Sequence, residues 1–544
     1  MSRMLRASGL LGLATLGSRV LGLVREQVYA HFMGDTPVAS AFKLAFQIPN
    51  LFRRLLGEGA LTAAFIPIFK RKETTEGEAA MWQAANATAS GLVIVTTALV
   101  GLAVVGLSVV LAAGQVGWTQ DGQPVFPPFP IPLLSEHTVL VLRLLRLMFP
   151  YLILVCLAAL CMGILNARGY FFIPAMGATL LNVVMIASVL LLAPRFGETL
   201  ETQVFALGVG VLVAGFAQFA FQVPTLLRQG FRYRWVAPWG NPTLRELVRK
   251  MIPATIGVAA FQVNVLLIMV VSYWVDKHVV ASFDYAVRLM EFPQGIVGIS
   301  LATYLLPTLS GLAAEKNYGE FRATLRQGLG YMLYLNLLAS VLLMILAEPM
   351  VRLLFERGAF SMASTQRTSS ALLCLAPGLV AFSGVNLLAR AFYALGDTKT
   401  PMRVSVFCLA ANLFLSLWLV GPLRQAGLGA ANSLTAALNC WLLGRALRRK
   451  LKTLELGELR AKLVSLLGAT VVAGGVAWGL LWLWQARLGH GTLLLKLGEV
   501  FVPALAAALA YWGVTLWLRV PEASEAIRML RRRAQRGEGG GEAS

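Results

Sequence analysis

An all-α polytopic membrane protein is the fold class this sequence predicts. About fourteen transmembrane helices are expected, as two six-helix lobes related by a parallel pseudo-two-fold repeat, with two extra C-terminal helices. Three observations predict it. Hydrophobic residues make up 57% of the 544 residues and charged residues only 13%, about half the charged share of a soluble domain. Apolar runs long enough to cross a hydrocarbon core of about 30 Å recur along the whole chain. Finally, a residue pattern at 52–67 returns at 292–307.

The apolar segments, in order, are 8–33, 36–68, 83–113, 136–166, 170–194, 204–227, 244–275, 279–312, 323–347, 366–395, 401–421, 427–447, 463–485 and 493–518. The first follows a basic tip, Met1 to Arg6, that resembles a signal sequence. Arg19 and Arg25 interrupt the run behind it, so a retained span is expected rather than a cleaved peptide. The loop 114–135 has no Lys or Arg and carries Pro124, Pro127, Pro128, Pro130 and Pro132, as a stiff extracytoplasmic spacer would. Basic residues otherwise collect on the side that holds both termini: the tip, Lys70, Arg71 and Lys72, the stretch 229–250, the stretch after 447, and the tail. That asymmetry places both termini in the cytoplasm. The main exception is the outer stretch around Arg352, Arg357 and Arg367, partly offset by Glu348 and Glu356.

The domains expected are an N-terminal lobe 1–228, a basic cytoplasmic linker 229–250, a C-terminal lobe 251–452, a helix pair 453–519 and a basic tail 520–544. The tail reads as a short surface helix on anionic lipid followed by disorder. The net charge of +21 is spread over short loops between apolar runs. Anionic membrane lipid, not nucleic acid, is therefore the partner it implies. The five cysteines all lie in apolar segments without a CxxC pair, and the four histidines are scattered. No metal and no cofactor is expected.

The repeat rests on two sets of matches. Phe52 to Pro67 reads FRRLLGEGALTAAFIP and Phe292 to Pro307 reads FPQGIVGISLATYLLP, an offset of 240 residues. Asn166, Ala167, Arg168, Pro174 and Asn182 are echoed by Leu388, Ala389, Arg390, Pro401 and Asn412, at offsets of 222 to 230. Spans 7–12 thus repeat spans 1–6, with the site expected between the halves. Spans 2 and 8 are unusually long, roughly 50 Å if helical. Each is broken, at Pro49 or Pro293, with Arg and Glu beside the break: Arg53, Arg54 and Glu58 in one, Arg288 and Glu291 in the other. Paired broken spans at matching places are the sequence mark of a transporter site.

Arginine within a span costs several kcal/mol unless it faces a wet interior. Arg19, Arg25, Arg53 and Arg288 are accordingly the candidate substrate ligands, with Glu26, Glu58 and Glu291 as partners that hold arginines. Ser18 and Gly22 beside Arg19 would admit a close neighbouring helix. Arg54 points about 100° away from Arg53; Lys43, Arg143, Arg146 and Arg390 read as interfacial or structural. A guanidinium stays charged in any surroundings and grips phosphate with two parallel bonds, so the cargo expected is anionic, a diphosphate above all.

These motifs resemble a known family. Ser18-Arg19-Val-Leu-Gly22-Leu-Val-Arg25, Pro49-Asn50-Leu-Phe-Arg53-Arg54, Glu58-Gly59-Ala60, Arg288-Leu-Met-Glu291-Phe-Pro293 and Gly396-Asp397-Thr398-Lys399-Thr400-Pro401 are similar to the MurJ (MviN) lipid II flippase family. That family belongs to the multidrug/oligosaccharidyl-lipid/polysaccharide flippase superfamily. The resemblance implies a V of two lobes, with spans 13 and 14 forming a groove for the lipid tail. It implies a monomer in the bacterial inner membrane that moves undecaprenyl-diphosphate-linked peptidoglycan precursor (lipid II) outward by alternating access. The family's cavity arginines would fall on Arg19, Arg25, Arg53 and Arg288. The chain departs from relatives at Ser40, Gln47 and Val287, where they carry Asp, Lys and Asp. Spans 7, 11 and 12, where some members bind sodium, hold Asn264, Asn412 and Asn432 but no carboxylate in their bodies. A polysaccharide-unit flippase or another exporter of the superfamily is the alternative. An enzyme would need acidic metal ligands or a catalytic carboxylate, and the chain has no DxD and no clustered His or Asp.

Overall fold

The computed structural model describes residues 2–57, 60–115, 119–120, 123–124, 135–452 and 457–525. The proline-rich loop and the basic tail therefore lie largely outside the described residues, and so does Glu58. The first seven spans build from α1 (Ser2–Met33), α2 (Pro37–Phe52), α3 (Ala60–Glu76), α4 (Glu78–Gln115), α5 (Glu136–Met148), α6 (Tyr151–Ala167), α7 (Phe172–Ala187), α8 (Leu200–Arg228) and α9 (Pro242–Val275). Then come α10 (Val279–Pro293), α11 (Ser300–Ala314), α12 (Tyr318–Ile345), α13 (Ala347–Phe355), α14 (Met362–Leu375), α15 (Gly378–Ala394), α16 (Lys399–Lys450), α17 (Gly457–Arg487) and α18 (Leu493–Trp517). A two-residue ladder, Thr119–Gln120 against Gln123–Pro124, is the one β element among the described residues. Polar caps start many helices: Thr36, Ser135, Thr199, Asn241, Asn317 and Thr492 each accept a bond from the first turn, which satisfies donors that helix geometry leaves open.

The molecule is a multi-pass membrane protein. Among the described residues, nine helical runs are long and apolar enough to cross a membrane, or eleven when α5–α6 and α14–α15 each count as one bent span. Fourteen segments were expected, and the difference has identifiable sources. α16 holds two of them, joined across a kink at Arg424 (φ 51, ψ −128) just after Pro422. Gly427 makes that kink possible, because a β-carbon there would strike the Leu419 carbonyl. α2 has only 16 residues. α13 was read as loop; its nine residues are too short for a span, yet Val351, Leu353 and Phe355 are buried.

Contacts divide the chain into two compact units, Met1–Ala281 with Gly358–Phe360, and Ser282–Arg357 with Ser361–Ser544. The division falls inside α10 rather than in the basic linker, because α9 packs on α2, α3 and α4. In the first unit, Leu61, Phe65, Phe69, Met81, Leu160 and Leu226 form a core shared by α3, α4, α6 and α8. In the second, Leu305, Leu309, Phe321, Leu325, Leu387 and Leu443 form one shared by α11, α12, α15 and α16. These are the elements that the sequence repeat pairs. Both copies also break alike. A π-helical turn follows Phe52 at Arg53–Gly57, and another follows Pro293 at Gln294–Ile299. The bent pairs α5–α6 (43°) and α14–α15 (47°) turn at Pro150 and Pro377. In the second unit α17 and α18 pack on each other and on α12. Ala469, Ala473 and Ala477 give a smooth stripe, and Tyr511 donates to the Tyr334 carbonyl at 2.9 Å. Small residues allow that close approach where no hydrophobic force drives helices together.

Candidate functional site

Within the first unit, α1 packs along α7, and one side chain bonds twice across that contact. The Asn182 amide donates to the Ser18 carbonyl at 3.1 Å, and its oxygen accepts from Arg25 Nη1 at 3.0 Å. Gly22 faces the same amide, where a β-carbon would make an ordinary contact of 3.7 Å with Asn182 Nδ2. The small residues beside Arg19 therefore receive a polar neighbour rather than an apolar one.

Around this contact the structure gathers a charged cluster. Arg25 Nη2 donates to Glu26 Oε1 at 2.5 Å, and Lys43 Nζ of α2 approaches Glu26 Oε2 at 3.5 Å. All three side chains are largely buried, at 17%, 4% and 9% exposure for Arg25, Glu26 and Lys43. The Arg25 guanidinium also lies 5.5 Å from the centre of the Tyr29 ring, which meets Phe42 edge-on. Arg25 and Lys43 both face the Glu26 carboxylate, and Asn182 and the aromatic ring fix the guanidinium in place. Such a group desolvates an arginine while keeping it oriented, which is what recognition of a phosphate oxygen requires.

Arg53 opens the π-helical turn after α2, and its Nε donates to Asn50 Oδ1 at 2.7 Å. Pro49 lies inside α2, one turn before the break. A π turn widens the helix and frees backbone groups, and it occurs often at functional sites. Arg54 points elsewhere, with Nη1 3.4 Å from Gln262 Oε1 on α9. Arg19 is exposed on α1 and forms no ion pair among the described residues.

Arg288 belongs to the second unit. Its Nη1 meets Glu291 Oε2 at 2.9 Å, and its Nη2 lies 3.8 Å from Asp284 Oδ1. Its side chain stays 40% exposed. Pro293 ends α10 and leads into the second π turn. There Gly298 faces Ser383 so closely that a β-carbon would collide with the hydroxyl.

Three participants escaped the sequence reading. Asn182 was seen only as a repeat match. Lys43 was read as interfacial or structural. Asp284 was not considered, although it stands four residues before Arg288, the helical spacing for an ion pair. Glu26 pairs with Arg25, and Glu291 with Arg288. The Gly396–Pro401 motif proves to be a helix start. Asp397 accepts from the Thr400 backbone at 3.0 Å and its hydroxyl at 2.8 Å, and takes Lys450 Nζ at 2.6 Å, so it ties the two ends of α16 together.

The family model for lipid II flippase MurJ matches residues 29–498. The match begins after Arg19 and Arg25. A probable lipid II flippase MurJ from Vibrio cholerae serotype O1 is 34% identical over 487 residues, 89% of this chain and 89% of its own length. One from Rhizobium tropici is 32% identical over 526 residues, covering 96% of each chain. Among solved structures, a lipid II flippase MurJ in an inward closed conformation matches with a TM-score of 0.73 at 20% identity, covering 94% of this chain and 99% of that one. An inward-facing multidrug transporter of the MATE family matches with a TM-score of 0.63 at 16% identity, covering 80% of this chain and 95% of that one. At those identities the two structural matches speak for the fold alone.

Proposed function

The chain belongs to the MurJ lipid II flippase family, and from that premise we propose that it carries lipid II from the inner to the outer leaflet of the bacterial inner membrane. On this reading it is a transporter rather than an enzyme, works as a monomer by alternating access, and keeps both termini in the cytoplasm. Arg19, Arg25, Arg53 and Arg288 line a central cavity and take the diphosphate and adjoining sugar. Glu26, Glu291 and Glu58 hold or release those arginines. The polyprenyl tail stays in lipid or along α17 and α18.

One observation carries the chemical part of the proposal. The Arg25 guanidinium is held inside a membrane helix by Asn182, Glu26 and Tyr29, a costly arrangement that membrane proteins keep where a charge is needed. A diphosphate would compete with Glu26 for it. The exchange is reversible because Glu26 stays within reach when the substrate leaves.

The direction of transport follows from charge. The cell interior is electrically negative, so each negative charge moved outward gains roughly 2.3 kcal/mol per 100 mV. A diphosphate carrying two charges would gain about twice that, and no bound ion is required.

The test replaces Arg19, Arg53 and Arg288 singly with Ala and with Lys and scores rescue of growth after depletion of the native protein, with protein levels measured. Alanine should abolish or strongly reduce rescue. Lysine should restore it in part, because charge survives while the two-pronged grip does not. Full rescue by every alanine variant overturns the assignment.

A further inference from the structure

The basic linker between spans 6 and 7 is not a free tether. Residues 230–239 run extended along one stripe of α4, and three residues at helical spacing hold them. Trp82 packs on Phe231, with ring centres 5.7 Å apart. Four residues on, Asn86 Nδ2 donates to the Arg232 carbonyl at 3.1 Å, and Asn86 Oδ1 accepts from the Arg234 backbone at 3.1 Å. Four residues further, Ser90 Oγ accepts from the Val236 backbone at 3.3 Å and bonds the Tyr233 hydroxyl at 3.2 Å. Asn86 bonds the chain as a neighbouring strand would, taking one N–H and serving one carbonyl two residues apart. Both polar side chains are buried, Asn86 at 5% and Ser90 at 0% exposure.

The other buried polar residues of α4, Thr88 and Thr96, bond back to carbonyls of their own helix, whereas Asn86 and Ser90 reach outside it and need a reason. α4 is 38 residues long, about 57 Å at 1.5 Å per residue, against a hydrocarbon core of about 30 Å. With the excess shared between its ends, the core boundary falls roughly 13 Å from Glu78, between Asn86 and Ser90. Extended backbone at that depth is tolerated only where protein satisfies its polar groups. Asn86 and Ser90 supply those partners.

The outward face of the strap has matching chemistry. Trp235 is 60% exposed and Trp239 71% exposed. Arg232 and Arg234, just before Trp235 in the chain, are exposed as well. Tryptophan settles at the headgroup level and arginine pairs with lipid phosphate. The cations face outward, so an anionic surface is the complementary partner.

We propose that residues 230–239 form a strap inlaid at the headgroup level of one leaflet, with Trp235 and Trp239 in the interface and Arg232 and Arg234 on anionic lipid phosphates. The strap fixes the chain between spans 6 and 7 to the membrane surface instead of leaving it in water. The inference does not depend on which substrate is carried.

The experiment uses the full chain with Cys156, Cys161, Cys374, Cys408 and Cys440 replaced by Ala and a nitroxide attached through Ala237→Cys. It is reconstituted into vesicles containing phosphatidylglycerol and, separately, into phosphatidylcholine alone. Collision with oxygen and with a water-soluble nickel chelate reports depth. The label should be shielded from nickel in phosphatidylglycerol vesicles and less so in phosphatidylcholine. Arg232→Glu with Arg234→Glu should remove that difference, and Asn86→Ala should raise nickel access in both. Nickel access as high as at a Glu198→Cys loop label, in both vesicle types, overturns the proposal and leaves the face open to a soluble partner. Equal shielding in both lipids, unmoved by the arginine reversals, overturns the anionic-lipid assignment. The lipid comparison on the parent protein stands even where a variant fails to fold.

Discussion

Removing Arg352 should damage this protein more than removing its buried partner, and removing both should damage it less than removing Arg352 alone. The Arg352 side chain is 2% exposed and that of Glu499, on α18, is 0% exposed. Arg352 Nη1 meets the two Glu499 oxygens at 3.0 and 3.3 Å. Gln485 on α17 donates to the same carboxylate at 2.8 Å, and Arg352 also contacts Glu348 and lies 3.8 Å from Glu356. At 3 Å the gross attraction is about 5 kcal/mol with the effective dielectric that suits proteins. The net value is far smaller, because both groups had to leave water. Breaking such a pair from one side costs about 3–5 kcal/mol, while replacing both partners by apolar groups is close to neutral. Arg352→Met leaves the buried Glu499 carboxyl without its cation and with Gln485 as its remaining partner among the described residues, so it should cost that full range. Glu499→Leu leaves Arg352 paired with Glu348 and Glu356, so roughly 1–3 kcal/mol is expected. Arg352→Met with Glu499→Leu should recover most of the larger loss. The assay is denaturant unfolding of the four proteins in mixed micelles, read as a double-mutant cycle. Additive losses, with coupling near zero, would refute the claim that the two residues form one buried unit.

Three further outcomes follow. Asn182→Ala removes the acceptor on Arg25 and the bond to the Ser18 carbonyl; if Arg25 contacts substrate, growth rescue should fall at normal protein level, and Asn182→Asp should not restore it, since the new charge would compete as Glu26 does. Gly34→Ala should cost at least about 2 kcal/mol, seen as a shorter half-life on heating, because Gly34 has φ +55 and a β-carbon would strike the Ala359 carbonyl. Glu246, bonded by Arg71 at 2.5 Å and Lys250 at 2.8 Å, has its carboxyl pulled from 4.5 down to about 2 by those cations. Its pairing therefore stabilises the fold at neutral pH and is lost as pH falls from about 4.5 towards about 2. Glu246→Gln should lower the melting point slightly at pH 7, by under about 1 kcal/mol because the pair is exposed. That gap should close in acid; a gap that persists at pH 2 contradicts the cause given.

Much of the fold could be read from the sequence because a bilayer imposes a long period that few residues disguise. α4, α8 and α12 are unbroken apolar runs and lie within one or a few turns of their expected ends. Where the reading faltered, the signal was local. Nothing in the run from Lys399 to Lys450 separates a kink from a loop, since the turn rests on one left-handed Arg424 and a glycine meeting a carbonyl. α13 is amphipathic at a length below any span, so it passed for loop. Arg352 shared that fate and was read as a charge outside the membrane. Its partner was visible, however: Glu499 is the only acidic residue in α18, and a lone acid in an apolar helix asks for a cation. Partners of the candidate arginines were legible when they lay on the same helix, as Glu26 and Glu291 do. Asn182 and Lys43 came from other helices, and helical spacing carries no information about those.

The two copies of the repeat share their mechanics and differ in their charges. Each has a core of four equivalent helices, a π-helical turn after an interrupted span, and a bent pair turning at a proline. Backbone irregularity in a membrane must face protein or water, whatever side chains it carries. Its recurrence at one place in each copy therefore says where the chain bends, and that depends on proline, glycine and packing. The charge pattern is not copied. The first π turn begins with Arg53, while Gln294 begins the second and its arginine, Arg288, lies more than a turn earlier beside Asp284 and Glu291. The polar contact of Asn182 joins Arg25 to a neighbouring helix, and Arg288 pairs with Asp284 and Glu291 along α10. The chain thus bends alike in its two units, while the cations that stand beside the bends differ in place and in partners.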